Sequence, residues 1–290
     1  MPSLEERAAA AQRRGDSREL ELLAREMVAA GEAAGNSQAL AAAHYYRGLS
    51  YFLRSLGDRA RASYETSLEF ATAANDQRAI LRVMIGLAAI AGEYDLDVER
   101  LRTLSTEAIP VAREIGDEKS EAVALGSLAE ACHLQGDYPL AIRYAGEAAE
   151  LFLRLERWSS AGAQYATVAY VHVLTRDYAR AIAAMETAWE YLSREEVAFH
   201  RAWYLQVWFV MAGAMGRWEI AARLYGFLGH YRDEHNAPRL QGMLPSLSGP
   251  IERQYKELGY ERAIALAAEG ENLTIEGAIA LALQLRDGDR

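Results

Sequence analysis

Aromatic and polar side chains recur on the helices that precede a regular series of turns in this chain. Counting back from each turn assigns these side chains to the inward-curving face of those helices. Tyrosine and tryptophan combine an apolar body with one hydrogen-bonding group, and polar neighbours can fix the orientation of a ligand. The predicted chemistry is therefore noncovalent binding of a small molecule or a peptide in a concave groove. The candidate groove residues are Tyr45, Tyr46, Phe52, Glu130, His133, Tyr170, Trp203 and Gln206.

Two interpretations of these candidate positions stay open. The aromatic members, in particular Tyr45, Phe52 and Trp203, could instead contact the neighbouring helix pair and serve as core. A polar side chain on that face needs a partner, so a binding role is favoured for the polar members. These polar members are Glu130, His133 and Gln206.

Metal and covalent chemistry find little support in the sequence. His230 and His235 are five residues apart, which misses the one-turn spacing of a helical metal-binding pair, and no cysteine pair accompanies them. Glu195 and Glu196 are adjacent, so their side chains would diverge by about 100° on a helix, and we expect them to decorate a loop. Cys132 is expected to be a buried, inert thiol. We therefore predict no metal, no cofactor and no catalysis.

A repeated sequence pattern must position the candidate residues. Residues 136–148 read as a tight turn followed by a helix with small residues on one face, and the pattern returns near residues 176 and 216. The first inward position of each second helix recurs at intervals of 40, 41, 40, 40 and 40 residues. A fixed period of this kind predicts stacked helix pairs. The aligned positions are Leu20, Ala60, Leu101, Ala141, Ala181 and Ala221.

The repeat pattern is expected to cover residues 1–234 and to change after that. Residues 235–250 hold three of the six prolines and are predicted to be a loop, because proline and glycine at this density break helices. This loop is long enough to fold into the groove. Residues 251–290 resume a helical pattern, with Thr274 as a candidate N-cap, and are predicted to cap the open end of the array.

Composition narrows the class of protein further. Hydrophobic residues make up 51% of the 290 residues, much of that alanine, which predicts an all-helical chain. The net charge of −10 argues against a nucleic-acid-binding surface. The N-terminus lacks the apolar core of a signal peptide, and no uncharged apolar run reaches the roughly 18 residues that a membrane span needs. With a single cysteine, these features favour a cytoplasmic protein.

Helix pairs joined by a turn such as Gly136-Asp137-Tyr138, with small residues at intervals of four and three, resemble the tetratricopeptide repeat. The resemblance implies an all-α, right-handed superhelical solenoid of about six helix pairs, whose first helices line a concave groove. Alanines would let the helices approach closely, while Tyr64 fills the space towards the next pair. The period near 40 exceeds the usual unit of about 34 residues, which leaves an armadillo- or HEAT-like stack as the alternative.

The C-terminal part carries a second resemblance. Residues 221–226, the proline-rich loop, residues 260–263 and residues 273–282 follow one another in an order similar to the end of large bacterial signal-transduction ATPases. These include the LuxR-type, cyclase-linked and maltose-regulator-like proteins, in which a helical-repeat arm follows the ATPase module. The resemblance implies an arm that senses an inducer or a partner. The chain itself has no Gly-x-x-x-x-Gly-Lys-Ser/Thr phosphate loop, so no ATP binding is expected from it.

We therefore expect a non-catalytic sensor and interaction arm of a bacterial signalling or transcriptional regulator. It would bind a small inducer or a protein segment in its groove, with no direct contact to nucleic acid or membrane. Two alternatives remain, namely a passive tetratricopeptide scaffold for protein–protein interaction and a self-associating module that forms a homo-oligomer. The sequence is compatible both with a fragment of a longer ATPase regulator and with a free-standing relative.

Overall fold

The computed structural model describes residues 2–235, 237 and 244–286, and side chains in the last of these segments from residue 247 onwards. The described residues contain helices and turns and no strand, and they fall into two compact units, residues 1–135 and 136–290. The first unit contains α1 (Leu4–Arg14), α2 (Ser17–Ala34), α3 (Ser37–Leu53), α4 (Gly57–Ala73), α5 (Gln77–Ile90), a π-helical turn (Ala91–Asp95), α6 (Val98–Glu114) and α7 (Glu118–Leu134).

The second unit also consists of helices, and its last three helices depart from the repeated pairs. It contains α8 (Tyr138–Arg154), α9 (Trp158–Leu174), α10 (Tyr178–Leu192), α11 (Ala198–Ala214), α12 (Trp218–Glu234), α13 (Leu244–Leu258), α14 (Tyr260–Glu271), α15 (Ile275–Leu283) and a 3₁₀ turn (Gln284–Arg286). None of the described helices is both long and apolar enough to span a membrane.

Stacked helix pairs account for the core of each unit. In the first unit each helix packs against the next one in sequence, as do α8 to α14 in the second unit. The first helices of successive pairs also touch, α3 with α5, α5 with α7 and α9 with α11. The predicted all-α fold of repeated helix pairs is confirmed. Every aligned inward position is at most 1% exposed, namely Leu20, Ala60, Leu101, Ala141, Ala181 and Ala221.

The aspartates of the recurrent turns act as helix N-caps. Gly136 adopts a left-handed conformation at φ 81°, and the Asp137 carboxylate then accepts a hydrogen bond from the Leu140 N–H at 3.3 Å. Such a cap satisfies one of the backbone donors that a helix start leaves free, and is worth about 1 kcal/mol. The predicted cap at Thr274 is also present, since its hydroxyl accepts from the Gly277 N–H. Equivalent caps are Asp16, Asn36, Asp76, Asp97, Asp117 and Asp177.

Tyr64 shows how large side chains fit between the pairs. Its ring lies between α3 and α5, where a Cβ atom added at Gly48 would lie 2.7 Å from the ring and one added at Gly86 would lie 2.9 Å from it. Tyr64 therefore fills the space towards the next pair, as predicted, and the two glycines leave room for it.

The single interval of 41 residues has a structural cause. It runs from Ala60 to Leu101 and contains the π-helical turn at Ala91–Asp95, which ends at Leu96 with a positive φ of 53°. A π-helical turn accommodates one extra residue within an α-helix, so the inward face stays in register after the insertion. Such turns also re-aim side chains and are frequent at functional sites.

The C-terminal end departs from the pair-by-pair pattern. Helix α14 crosses α12 at two glycines, where a Cβ atom on Gly226 would lie 1.9 Å from the Ala267 carbonyl oxygen and one on Gly270 1.9 Å from the Arg223 carbonyl oxygen. Backbone thus meets backbone, which only glycine permits at this separation. Helix α15 adds Ala278 to the core of the second unit.

The prediction of a loop over residues 235–250 is wrong for its last part. Residues 236 and 238–243 lie outside the described residues, but α13 begins at Leu244 and includes Pro250. Proline at position 245 falls in the first helical turn, where its missing N–H has no partner to lose. Proline content alone therefore predicted a loop that extends too far, into α13.

Candidate functional site

The predicted groove residues of the first unit begin with two tyrosines on α3. Tyr46 is 3% exposed and belongs to the core, whereas Tyr45 is half-buried. The Tyr45 ring meets the edge of Tyr46 at 5.4 Å and lies 5.9 Å from Tyr64, and the Arg82 guanidinium sits 5.3 Å from its centroid. Burial raises the pKa of Tyr45, partly offset by Arg82, so its hydroxyl stays protonated. This pair mainly packs the core.

Phe52 is half-buried at the end of α3, where the π-helical turn holds it. The rings of Phe52 and Tyr94 meet edge to face at 5.6 Å and 82°. The Tyr94 hydroxyl also donates to the Phe52 carbonyl at 3.0 Å, and the Tyr94 ring covers Gly57 at the start of α4. The π-helical turn therefore fixes one aromatic candidate directly.

The opposite side of the same turn meets Glu130 on α7. A Cβ atom added at Gly92 would lie 3.4 Å from the Glu130 carboxylate, so the glycine makes room for this half-buried side chain. Burial raises the pKa of Glu130 to about 7. Burial also lowers the pKa of His133, one turn further along α7, to about 4. At neutral pH His133 is therefore uncharged, while Glu130 readily takes up or releases a proton.

This combination gives the first unit a polar position with a defined chemistry. A cationic group placed beside Glu130 would favour its charged form and lower its pKa, because opposite charges stabilise each other more in a buried site than in water. A neutral His133 nearby does not compete as a cation.

In the second unit the predicted aromatic candidates pack on each other. Tyr170 is buried, and its ring meets that of the half-buried Trp203 at 5.3 Å and 63°. The Trp203 indole N–H donates to the Thr167 hydroxyl at 3.2 Å. Trp203 thus keeps a partly open face in a fixed orientation, while Tyr170 supports it from the core.

Gln206 is a core residue in this arrangement. It is fully buried, and its amide oxygen accepts a hydrogen bond from the Arg232 guanidinium at 2.5 Å. Arg232 is itself 5% exposed, so this hydrogen bond joins two buried polar side chains inside the second unit. The expected binding role would need both to move, and we place Gln206 with the packing residues.

No motif in the sequence indicates a serine–histidine contact, but the structure contains one. The hydroxyl of Ser159 lies 2.9 Å from Nδ1 of His200, and burial lowers the pKa of His200 to about 4. Ser159 is fully buried, so a substrate has no path to its hydroxyl in this arrangement. The pair therefore connects the starts of α9 and α11.

Glu195 corrects another expectation. Its carboxylate accepts a hydrogen bond from the Ser159 N–H at 3.2 Å, in the first turn of α9. That helix begins after Arg157, which offers no side-chain cap. Glu195 therefore caps α9 from a distance and does not merely decorate a loop, whereas Glu196 pairs with Arg201 at 3.1 Å. The missing aspartate before α9 is the sequence signal that could have suggested an outside acceptor.

Within the described residues, no group of three or more His, Cys, Asp or Glu side chains is arranged to hold a metal ion. His235 stacks on Tyr231 at 4.2 Å, and His230 approaches Glu234 at 3.9 Å. Cys132 is 2% exposed, as predicted for a structural thiol.

Two side chains that contact the candidate residues were not predicted from the sequence. Tyr94 holds Phe52, and Arg82 lies over the ring of Tyr45. Only the irregular repeat interval indicated that the region of Tyr94 differs from the other repeats.

No protein-family model matches the chain, and no curated protein matches it. Among solved structures, the apo form of RapI matches with a TM-score of 0.65 and 12% identity over 97% of each chain. A Rap protein complexed with Competence and Sporulation Factor matches with a TM-score of 0.71 and 13% identity, over 99% of this chain and 76% of that one. BtubC (BKLC) from P. vanneervenii matches with a TM-score of 0.54 and 16% identity, over 82% and 94%.

These likenesses are structural, since the identities are too low to carry more than the fold. They support a tetratricopeptide-like helical repeat.

Proposed function

We propose that the chain is a non-catalytic binding arm that captures a peptide or protein segment on the face of its first helices. The observation that carries this proposal is Glu130, a half-buried carboxyl group whose pKa lies near neutrality, set against the π-helical turn. Phe52 and Tyr45 on α3 offer half-buried aromatic surface in the same unit. The solved Rap protein complexed with Competence and Sporulation Factor supports a binding role for this fold.

The bound segment would carry a basic residue. Its ammonium or guanidinium group would pair with Glu130, and its apolar side chains would pack on half-buried aromatic rings. The second unit has a half-buried aromatic side chain of its own in Trp203, whose indole is oriented by Thr167. Tyr46 in the first unit, and Tyr170 and Gln206 in the second, would be core residues that do not touch a ligand.

The biological setting is part of the same proposal. The chain would be the repeat arm of a bacterial signal-transduction regulator of the LuxR or maltose type, acting in the cytoplasm, with residues 1–234 as the array and 251–290 as its cap. The motif order in residues 221–282 supports it. Binding would act by favouring one packing state of the arm, which requires different affinities for the states.

A small inducer at the same position, a passive scaffold and a self-associating module remain the competing functions. A thermal-shift series with small metabolites and sugars tests the inducer, because a bound inducer raises the melting temperature. Light scattering at increasing protein concentration tests self-association. A passive scaffold would show no change in either measurement.

The decisive experiment selects peptides from a random displayed library on the wild-type protein. We expect enriched peptides to contain a basic residue and to bind Glu130→Gln at least about tenfold more weakly, a change of roughly 1.4 kcal/mol. Glu107→Gln, which neutralises an exposed carboxylate on α6, is the matched control and should bind like the wild type. Enriched peptides that bind all three proteins equally would contradict the proposal.

A further inference from the structure

The ring of Tyr51 on α3 lies between two arginines. The Arg47 guanidinium carbon is 6.0 Å from the ring centroid, and that of Arg59, on α4, is also 6.0 Å from it. Tyr51 and Arg47 are half-buried and Arg59 is exposed. We propose that Arg47 and Arg59, converging on Tyr51, form a docking patch for an acidic segment of a partner protein.

The charges around the patch are unusual for this chain. The protein carries a net charge of −10, yet α3 contains no acidic residue, and Asp58 is the only one between residues 33 and 64. Asp58 pairs with Arg61 at 3.3 Å. From α2, Glu21 pairs with Arg54 and Glu32 lies close enough to act on His44, so the excess of positive charge is confined to Arg47 and Arg59.

Arg47 and Arg59 also differ from the arginines beside them. Arg54 pairs with Glu21, and Arg61 pairs with Asp58 and Asp95. Within the described part of the chain, Arg47 and Arg59 contact Tyr51 and no carboxylate lies within ion-pair distance of either one. An ion pair inside the chain would have used their donors, whereas a ring contact leaves the guanidinium N–H groups available to an external acceptor.

The start of α4 strengthens the positive potential. Helix α4 begins at Gly57 without a side-chain cap, and Arg59 is its third residue, so the first-turn N–H groups add partial positive charge beside the patch. Burial and the charge of Arg47 lower the pKa of His44, one turn before Arg47 on α3, while Glu32 opposes this shift. His44 is therefore neutral at neutral pH and adds no charge of its own to the patch.

The patch is separate from the proposed peptide-binding face. His44, Arg47 and Tyr51 follow one another at intervals of three and four residues and so share one face of α3. Tyr45 and Phe52 lie on another face, more than about 100° away around the helix axis. One helix can therefore serve two partners without overlap, and the inference does not depend on the proposed function.

A carboxylate-bearing protein segment fits this patch better than a nucleic acid. An arginine guanidinium group binds a carboxylate through two parallel hydrogen bonds. The guanidinium groups of Arg47 and Arg59, both at the Tyr51 ring, can therefore hold two acidic side chains. The tyrosine ring offers apolar contact to the carbon chains of glutamates. A long polyanion would also meet the surplus acidic residues of the rest of the chain.

The test is titration of a fluorescein-labelled oligo-glutamate peptide, followed by fluorescence anisotropy. The wild type should bind at low ionic strength and release the peptide as salt rises above ~100 mM, where the Debye length falls to about 10 Å. Arg47→Gln with Arg59→Gln should weaken binding at least about tenfold, since both guanidinium groups that would hold the acidic side chains are removed. Each single variant should give part of that loss.

The matched control is Arg78→Gln with Arg253→Gln, which removes the same charge from exposed positions on α5 and α13. It should bind the peptide like the wild type, and thermal melts should show all variants folded. Equal losses in both double variants, or no wild-type binding at low salt, would overturn the proposal. Tighter binding of oligothymidylate than of oligo-glutamate would overturn the choice of an acidic protein segment.

Discussion

The hydroxyl of Tyr94 donates a hydrogen bond to the backbone carbonyl of Phe52, 3.0 Å away. The two residues are 42 positions apart, one in the π-helical turn after α5 and the other at the end of α3. The Phe52 carbonyl, in the last turn of α3, also accepts from the Ser55 N–H at 3.0 Å, so the Tyr94 hydroxyl is its second donor. It thereby joins two successive helix pairs at the half-buried candidate residue Phe52.

Replacing this donor should have a measurable effect. We expect Tyr94→Phe to lower the free energy of unfolding by about 1 kcal/mol, because the Phe52 carbonyl loses a partner while the ring contacts remain. Tyr94→Ala should cost about 3 kcal/mol or more, because the ring that packs on Gly57 and Phe52 is lost as well. Urea denaturation followed by circular dichroism measures both. Equal stability of the wild type and Tyr94→Phe would show that this bond contributes nothing net.

The crossing of α12 and α14 predicts a sharp contrast between two glycines of one helix. Gly226→Ala should destabilise the protein by about 3 kcal/mol, because its Cβ atom would lie 1.9 Å from the Ala267 carbonyl oxygen. Gly229 has no atom within 4 Å of an added Cβ, so Gly229→Ala should stabilise α12 by about 0.5–1 kcal/mol. Thermal unfolding compares the two, and a similar destabilisation in both would mean that the close approach is not the cause.

Glu130 predicts a specific dependence of stability on pH. Its carboxyl group has an ordinary pKa of 4.5 and a pKa of about 7 when buried, so the folded protein binds more protons than the unfolded chain between these values. Stability should therefore be greatest below pH 4.5 with respect to this group and fall as pH rises towards 7. Glu130→Gln should remove this fall and be about 2 kcal/mol more stable than the wild type at pH 8.

The measurement is the free energy of unfolding of both proteins between pH 4 and 8. The difference between the two proteins reports on Glu130, because groups distant from it titrate alike in both. A difference that does not change with pH would show that burial does not shift this carboxyl group.

His200 predicts the opposite dependence. Its ordinary pKa is 6.5, and burial against Ser159 lowers it to about 4. Between pH 6.5 and 4 the unfolded chain therefore binds a proton at His200 that the folded protein does not bind. Stability should fall as pH decreases through this range. His200→Gln, which can still bond the Ser159 hydroxyl, should abolish about 2 kcal/mol of that loss. The effect of His133 on stability is the same in both proteins and cancels from the comparison. An equal loss of stability with falling pH in the wild type and in His200→Gln would contradict the prediction.

The fold was predictable because its signals are local. A small residue recurring every 40 or so positions, and an aspartate that caps the next helix, act within one helix pair and are repeated along the chain. The identity of the groove candidates was less predictable. Tyr45 and Phe52 are half-buried, whereas Tyr170 and Gln206 lie in the core, because the same helical face can meet solvent or a neighbour depending on how the next pair packs.

The sequence by itself determined the all-helical repeat, the register of its inward face and the extra residue between Ala60 and Leu101. Only the tertiary structure decided where that residue is absorbed, and that Glu195 caps α9 and Gln206 holds Arg232. The partners in these contacts are 36 and 26 residues apart. Spacing along a helix fixes which side chains share a face, but the distance between helices and their crossing angle fix which side chains meet.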